Sequence, residues 1–220
     1  MKSLVIFDLD GTLLNTIADL GTACNYALKK MGYLSHPISA YNFMVGNGVR
    51  KLMQRAEPDA DAPTIDRLLV YFREYYDEHC TDNTLPYPGI PELLEDLTSK
   101  GVKVAVATNK YQSAATHIIN HYFPEIPFVA VMGQIDDRPV KPDPSVVFAV
   151  LSASPAPKAD VVFVGDSAVD IDTARRACVD SIGVTWGFRP ISELRRAYAD
   201  NIVNNPQDIM RIVSSPYSFQ

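Results

Sequence analysis

The sequence predicts an α/β protein, a doubly wound parallel sheet that carries an inserted helical segment. Three observations predict it. From Pro91 onward, short apolar runs alternate with stretches of helical periodicity. Those runs are nearly unbroken Val, Ala, Ile and Phe, the pattern of strands covered by helices on both faces. The matching run at the N-terminus, Leu4-Val5-Ile6-Phe7, is cut off from the rest by a long region, Asn15 to Asn83, with no convincing strand.

Taken in order, Leu4 to Phe7 is a buried strand, and Asp8-Leu9-Asp10-Gly11-Thr12-Leu13 follows where it should end. Three helices come next, Thr16 to Met31, Tyr41 to Ala56 and Thr64 to Cys80. They are punctuated by Gly32, Ser35-His36-Pro37 and Pro58-Asp59. These place an inserted helical unit at 15–83, between core segments 1–14 and 84–220. The prolines of Thr84 to Ile90 make a stiff re-entry linker. Pro91 to Lys100 is a helix, with Pro at its first position and Gly101 just past its end. Strands then fall at Val102–Ala107, Phe128–Met132, Val161–Val164 and Ser181–Val184. The helices between and after them are Gln112–Tyr122, Pro144–Ser152, Ala168–Cys178 and Ile191–Ala199. Alternation of this kind implies right-handed crossovers in a parallel sheet. Strand order is not readable from it.

Composition narrows the function classes. A net charge of −6 argues against general binding to nucleic acid or anionic membrane, which needs a positive surface field. It leaves room for a small anionic substrate held by a few local cations. No run approaches the length of a membrane span, and the N-terminus lacks a charged-then-apolar leader. Cys24, Cys80 and Cys178 are scattered and form no CxxC pair, so a reduced cytoplasmic setting is expected.

In open α/β sheets, ligands bind outside the carboxyl ends of the strands. Three strands here end in polar residues: Asp8 and Asp10, then Thr108-Asn109, then Gly165-Asp166-Ser167. With Lys141 and Asp170 they form a candidate site. Carboxylates without His or Cys favour a hard cation, Mg²⁺ over zinc. Such a cation would relieve the repulsion between Asp8 and Asp10 and would bind a phosphate oxygen. Lys141, on a loop stiffened by Pro142 and Pro144, supplies positive charge, and Thr108 a hydroxyl donor. A carboxylate beside both can attack phosphorus, and a second can protonate the leaving alcohol and then activate water.

Asp8-Leu9-Asp10-Gly11-Thr12, Thr108-Asn109, Lys141-Pro142 and Gly165-Asp166-Ser167 through Asp170 resemble the four ordered motifs of the haloacid dehalogenase superfamily of phosphatases. The likeness runs from Val5 to Gly187. It implies a Rossmann-like core and makes the insertion similar to that superfamily's small helical cap. Val45-Gly46-Asn47-Gly48-Val49 and Tyr87-Pro88-Gly89 are similar to the phosphoglycolate phosphatase branch. The resemblance implies Asp8 as nucleophile and Mg²⁺ ligand, and Asp10 as general acid/base with its backbone carbonyl on the metal. Thr108, Asn109 and Lys141 would hold the phosphoryl group, and Asp166 would complete the metal shell. Asp170 would orient Lys141 or reach the metal through water. Asn15 and Cys178 depart from the branch pattern, which often has Asp and Gly there.

The expected activity is hydrolysis of a small phosphorylated metabolite, phosphoglycolate first, by a monomer or homodimer. The rival readings are a sugar-phosphate mutase of β-phosphoglucomutase type, a phospho-aspartate receiver-like module and a non-catalytic phosphate binder. His117 and His121 have a spacing that zinc sites use, but no third ligand is obvious. Arg50 and Lys51, after the Gly46-Asn47-Gly48 turn, could meet a substrate carboxylate or be ordinary solvated helix charges, and Arg189 could contact substrate.

Overall fold

The computed structural model describes residues 2–215. A six-stranded sheet, all parallel, forms its centre. In chain order its strands are β1 (Leu4–Phe7), β4 (Lys103–Tyr111), β5 (Ala130–Gln134), β6 (Val161–Gly165), β7 (Asp180–Val184) and β8 (Asn201–Val203). They lie in the order β5-β4-β1-β6-β7-β8. The chain therefore builds outward from β1 on one side, then crosses back and builds outward on the other. The place where strand order reverses is the crevice beyond β1.

Side chains alternate across the sheet with a period of two. Val5, Phe7, Val104, Val106, Val162 and Val164 enter one apolar cluster, while Leu4, Ile6, Ala105, Ala107, Val161 and Phe163 enter the other. Two separate cores explain why these strands read as continuous apolar runs. Helices α6 (Ser145–Ala153) and α7 (Ala168–Ala177) cover the second face, through Val146, Val147, Val150, Ala174 and Ala177. Helices α4 (Ile90–Ser99), α5 (Gln112–Tyr122) and α9 (Pro206–Ser214) contribute to the first, with Leu93, Leu94, Leu97, Ile118, Ile119, Ile209 and Val213. Helix α8 (Ile191–Arg196) packs Leu194 against Ile171 of α7.

Between β1 and β4 the chain makes a narrow neck. Strand β2 (Leu14–Asn15) pairs antiparallel with β3 (Leu85–Pro86). Helices α1 (Ile17–Lys30), α2 (Val49–Ala56) and α3 (Ala62–His79) lie between them. Leu20, Ala23, Cys24, Ala27 and Leu28 of α1 share the apolar cluster with Ile65, Leu68, Phe72 and Tyr76 of α3. The buried carboxylate of Asp19 fixes the neck. It accepts from the backbone N–H of Asn83 and Thr84, the Asn83 amide and the Thr84 hydroxyl, at 2.8–3.0 Å.

Three departures from the sequence reading have clear causes. The helix expected from Tyr41 to Ala56 is a 3-10 turn, Ile38–Phe43, followed by α2. Gly46 and Gly48 divide the two with φ of +104° and +80°, values that L side chains rarely adopt. Strand β4 does not stop at Ala107. It continues through Thr108, Asn109 and Lys110, with a register shift between Ala107 and Tyr111 that leaves this stretch out of regular pairing with β5. Finally, β8 and α9 close the sheet's far edge in a tail whose periodic signal is short.

Candidate active site

The crevice is built by residues that continue three adjacent strands. Asp8 leaves β1 with its N–H still bonded to Val164 O of β6 at 2.9 Å, so the sheet fixes its backbone. Three residues later Gly11, at φ +84°, turns the chain. A Cβ at Gly11 would lie 2.5 Å from Asp166 Oδ2, and one at Gly187 would lie 2.3 Å from Asp166 Cβ. Both loops therefore close on Asp166 only because these positions are glycine.

Lys141 stands at the middle of the site. Its buried ammonium lies 2.7 Å from Asp170 Oδ1, 2.9 Å from Asp8 Oδ1 and 3.1 Å from the Ala107 carbonyl. Asp170, in the first turn of α7, also accepts from the Ser167 N–H and hydroxyl. It thus joins the start of that helix to Lys141. Asp166 Oδ2 accepts from the Phe188 N–H at 2.6 Å. One oxygen from each of Asp8, Asp166 and Asp170 lies within 4.8 Å of the others. Three buried carboxylates thus cluster together, and two of them, Asp8 and Asp170, share the Lys141 ammonium.

The charges respond accordingly. Burial first, then Asp170 and Asp10, push Asp8 up to about 7, although Lys141 pulls it down. Asp166 is pushed well above the carboxylate range by burial, Asp170 and Asp8, against the pull of the Phe188 N–H and Arg189. Burial alone would lower Lys141, but Asp170 and Asp8 outweigh it and hold the ammonium above its usual value. Asp8 Oδ1 is close to Lys141 yet not aligned for a hydrogen bond, so it is buried without a directed donor. An acceptor-only cluster with surplus negative charge and an undirected oxygen fits a hard divalent cation.

The remaining candidates are placed differently. Thr108 is buried and lines a cleft with Asp8, Asp10, Asn109 and Lys110. The Asn109 amide receives the Lys141 N–H at 2.8 Å and donates to Lys141 O and to Gly46 O, tying the lysine loop to the insertion. The Asp10 carboxylate is not among the three clustered ones; it turns to Lys110, at 2.9 Å. Arg50 pairs with Asp66, both exposed, outside the cleft. Arg189 donates to Val45 O at 2.9 Å and lies over Phe43, bridging a sheet-end loop to the insertion. His117 and His121 stack on each other on α5, and neither belongs to a metal-ligating group among the described residues.

Sequence reasoning missed Lys110 and Tyr76. Lys110 follows Thr108-Asn109 in a buried strand, where its side chain reaches Asp10 and the Tyr76 hydroxyl of α3. A lysine next to a strand of Val and Ala was the available signal. Tyr76 lies in a helix rich in aromatic residues, a pattern that suits packing and gives no sign of its hydroxyl's partner.

A sheet crevice holding clustered carboxylates, an ammonium and a buried hydroxyl has the groups to take an anionic ligand together with a hard cation. The comparisons specify it. The profile of the haloacid dehalogenase-like hydrolases matches residues 5–184, and the chain belongs to that family. Its relatives make it an enzyme of the phosphatase type. A phosphoglycolate phosphatase of Caulobacter vibrioides is 32% identical over 211 residues, covering 93% of this chain and 88% of that protein. One from Mesorhizobium japonicum is 30% identical over 191 residues, covering 85% and 84%. A solved structure from Lactobacillus delbrueckii subsp. bulgaricus carries phosphoglycolate phosphatase as a provisional name. It superposes with a TM-score of 0.91 at 32% identity, covering 97% of this chain and 99% of that one.

Proposed function

We propose that the chain is a Mg²⁺-dependent phosphomonoesterase that works through an aspartyl phosphate on Asp8, with phosphoglycolate as its substrate. The observation that carries the reading is the cluster of Asp8, Asp166 and Asp170, with Lys141 paired to Asp8 and Asp170 and Asp8 Oδ1 buried but undirected. The names of the relatives supply the substrate.

Asp8 and Asp166 would hold the cation, with the Asp10 backbone carbonyl, and Asp170 lies close enough to share it or to orient Lys141. When bound, Mg²⁺ keeps the carboxylates ionised and offsets charge on the phosphoryl oxygens. In the first half-reaction an Asp8 oxygen attacks phosphorus. The bond to the ester oxygen breaks, and that oxygen takes a proton from Asp10. In the second, Asp10 removes a proton from water, whose oxygen attacks phosphorus. Inorganic phosphate leaves and the Asp8 carboxylate is restored. Lys141 and the Thr108 hydroxyl hold the phosphoryl oxygens, and Asn109 holds Lys141 in place.

Residues 15–83 would act as a cap on a core of 1–14 and 84–220. The cleft beneath α2 and α3 has a volume of ≈ 40 Å³. That is room for about three water molecules. It is walled by Leu20, Val45, Val49 and Leu52 as well as by the site residues, which suits a short leaving group and excludes bulky ones.

Phosphate release from phosphoglycolate and a panel of small monoesters, with and without Mg²⁺, tests the reading. Asp8→Asn should abolish release while the variant remains folded. Release by Asp8→Asn near the parent rate would remove Asp8 as nucleophile.

A further inference from the structure

Lys110 is the only cation among the described residues that line the cleft, and the chemistry above leaves it without a task. Its ammonium is almost fully buried, donating to Asp10 Oδ1 at 2.9 Å, to Asp10 Oδ2 at 3.2 Å and to the Tyr76 hydroxyl at 2.7 Å. It also lies 4.7 Å from the centroid of the Tyr76 ring. The three residues come from distant parts of the chain: the β1 end, the β4 continuation and helix α3 of the insertion. Burying an ammonium is costly unless it is paired, and this one is paired with Asp10.

Asp10 sits beside the turn at Gly11, where the backbone alone does not dictate which way its carboxylate faces. Its ion pair is with Lys110. Lys141 is already shared by Asp8 and Asp170. Lys110 offers a second positive centre that keeps the Asp10 carboxylate over the cleft and out of the three-carboxylate cluster. Tyr76 holds Lys110 by accepting a hydrogen bond at its hydroxyl, so the arrangement is complete only when α3 is seated on the sheet.

We propose that Lys110 is the positioning residue for Asp10, and that Tyr76 makes protonation of the leaving group conditional on a seated insertion. The proposal rests on the reading of Asp10 as proton carrier. A residue that acts only through a general acid matters when the leaving group needs a proton and little when it does not.

The test compares ethyl phosphate, which expels an alkoxide, with acetyl phosphate, which is of similar size and expels a carboxylate. Mg²⁺ is present, and kcat/KM is read because it reports the steps up to transfer. Lys110→Met keeps the aliphatic stem and removes the charge. It should lower kcat/KM on ethyl phosphate about a hundredfold, and on acetyl phosphate at least tenfold less than that. Tyr76→Phe, which loses only a hydroxyl, should show the same split at about a tenth of the size. In the Asp10→Asn background, Lys110→Met should cost no more than about threefold further on ethyl phosphate, since it then has nothing to position. Equal losses on ethyl phosphate and acetyl phosphate, in either variant, would overturn the proposal while the phosphatase reading stands. If the parent protein turns over neither of these compounds nor phosphoglycolate, that reading fails and this inference falls with it.

Discussion

Removal of divalent cations should make this protein less stable as pH rises, the reverse of the usual behaviour of paired carboxylates. Asp8 is raised from an ordinary value near 3.8 to about 7 in the folded chain, with burial as the main cause. A folded group that holds its proton more tightly than the unfolded one contributes stability below the unfolded value and loses it as pH climbs through the folded one. The window therefore runs from about pH 4 to about pH 7. Three units at ~1.4 kcal/mol each set a ceiling of about 4 kcal/mol for Asp8 alone, and Asp166 pulls in the same direction. For a chain of this size each kcal/mol moves Tm by about 2–4 °C, so a fall of roughly 5–10 °C is expected between pH 4.5 and 7.5. Saturating Mg²⁺, which binds the ionised carboxylates, should stabilise most at the upper end of that range and little at the lower. Thermal melts of EDTA-treated parent and Asp8→Asn across this range, each with and without Mg²⁺, give the answer. The parent curve should fall more steeply than that of the variant, and the difference should vanish when Mg²⁺ is bound. A cation-free parent whose Tm is flat or rises in this window, parallel to Asp8→Asn, would refute the assignment of a crowded, desolvated carboxylate cluster.

Two further substitutions probe how the site is held. Gly165→Ala places a methyl 2.2 Å from Asp170 Cβ, so the first turn of α7 must shift. Stability should drop by about 1–3 kcal/mol, and phosphate release should fall with it, because Asp170 moves relative to Lys141. Urea unfolding and a phosphate assay on the same preparation measure both. Asp19→Ala strips the neck of the acceptor for Asn83 and Thr84. Leaving those N–H groups unmet should cost about 2–4 kcal/mol in urea unfolding, with a larger loss than any exposed acid-to-alanine change gives.

Much of the sheet was legible because burial on two faces writes itself into sequence as unbroken apolar runs. β1, β5, β6 and β7 were all expected within a few residues. What failed to show were elements whose cause is non-local. The neck strands β2 and β3 have only two residues each and exist through pairing across the insertion. Strand β8 is three residues held against β7. The break at Gly46 was visible as a glycine pair, but helical spacing on either side hid it. Cys178 sits at φ +58° as the C-cap of α7, a left-handed position that favours glycine, which accounts for the Gly often found there in the branch it resembles. In the site, Asp8 and Asp166 could be collected from strand ends, while Lys141 needed its proline-flanked loop and Asp170 its place just after Asp166. The partition of bonds among them could not, since Asn109 and Asp170 each serve Lys141 through atoms that no linear pattern orders.

The two carboxylates after β1 show why distance in sequence hides chemistry. Asp8 and Asp10 are two residues apart, so an unbroken strand would point them to the same side and leave one cation to serve both. The turn at Gly11 separates them, and the sheet then supplies a different ammonium to each. Lys141, from the loop after β5, meets Asp8 in a buried cluster whose excess charge suits a cation. Lys110, from β4, meets Asp10 at the cleft wall under Tyr76. A nucleophile needs to stay ionised, whereas a proton carrier needs to exchange its proton with the leaving group and then with water. One shared lysine would tie both carboxylates to a single charge state. Two lysines, one in the loop after β5 and one in β4, let the neighbouring residues differ, and α3 touches only the second of them. On the proposed reading the seating of α3 would bear on leaving-group protonation through Lys110, whereas the insertion reaches Lys141 by a different route, the Asn109 amide on Gly46 O, and the leaving-group comparison separates the two routes.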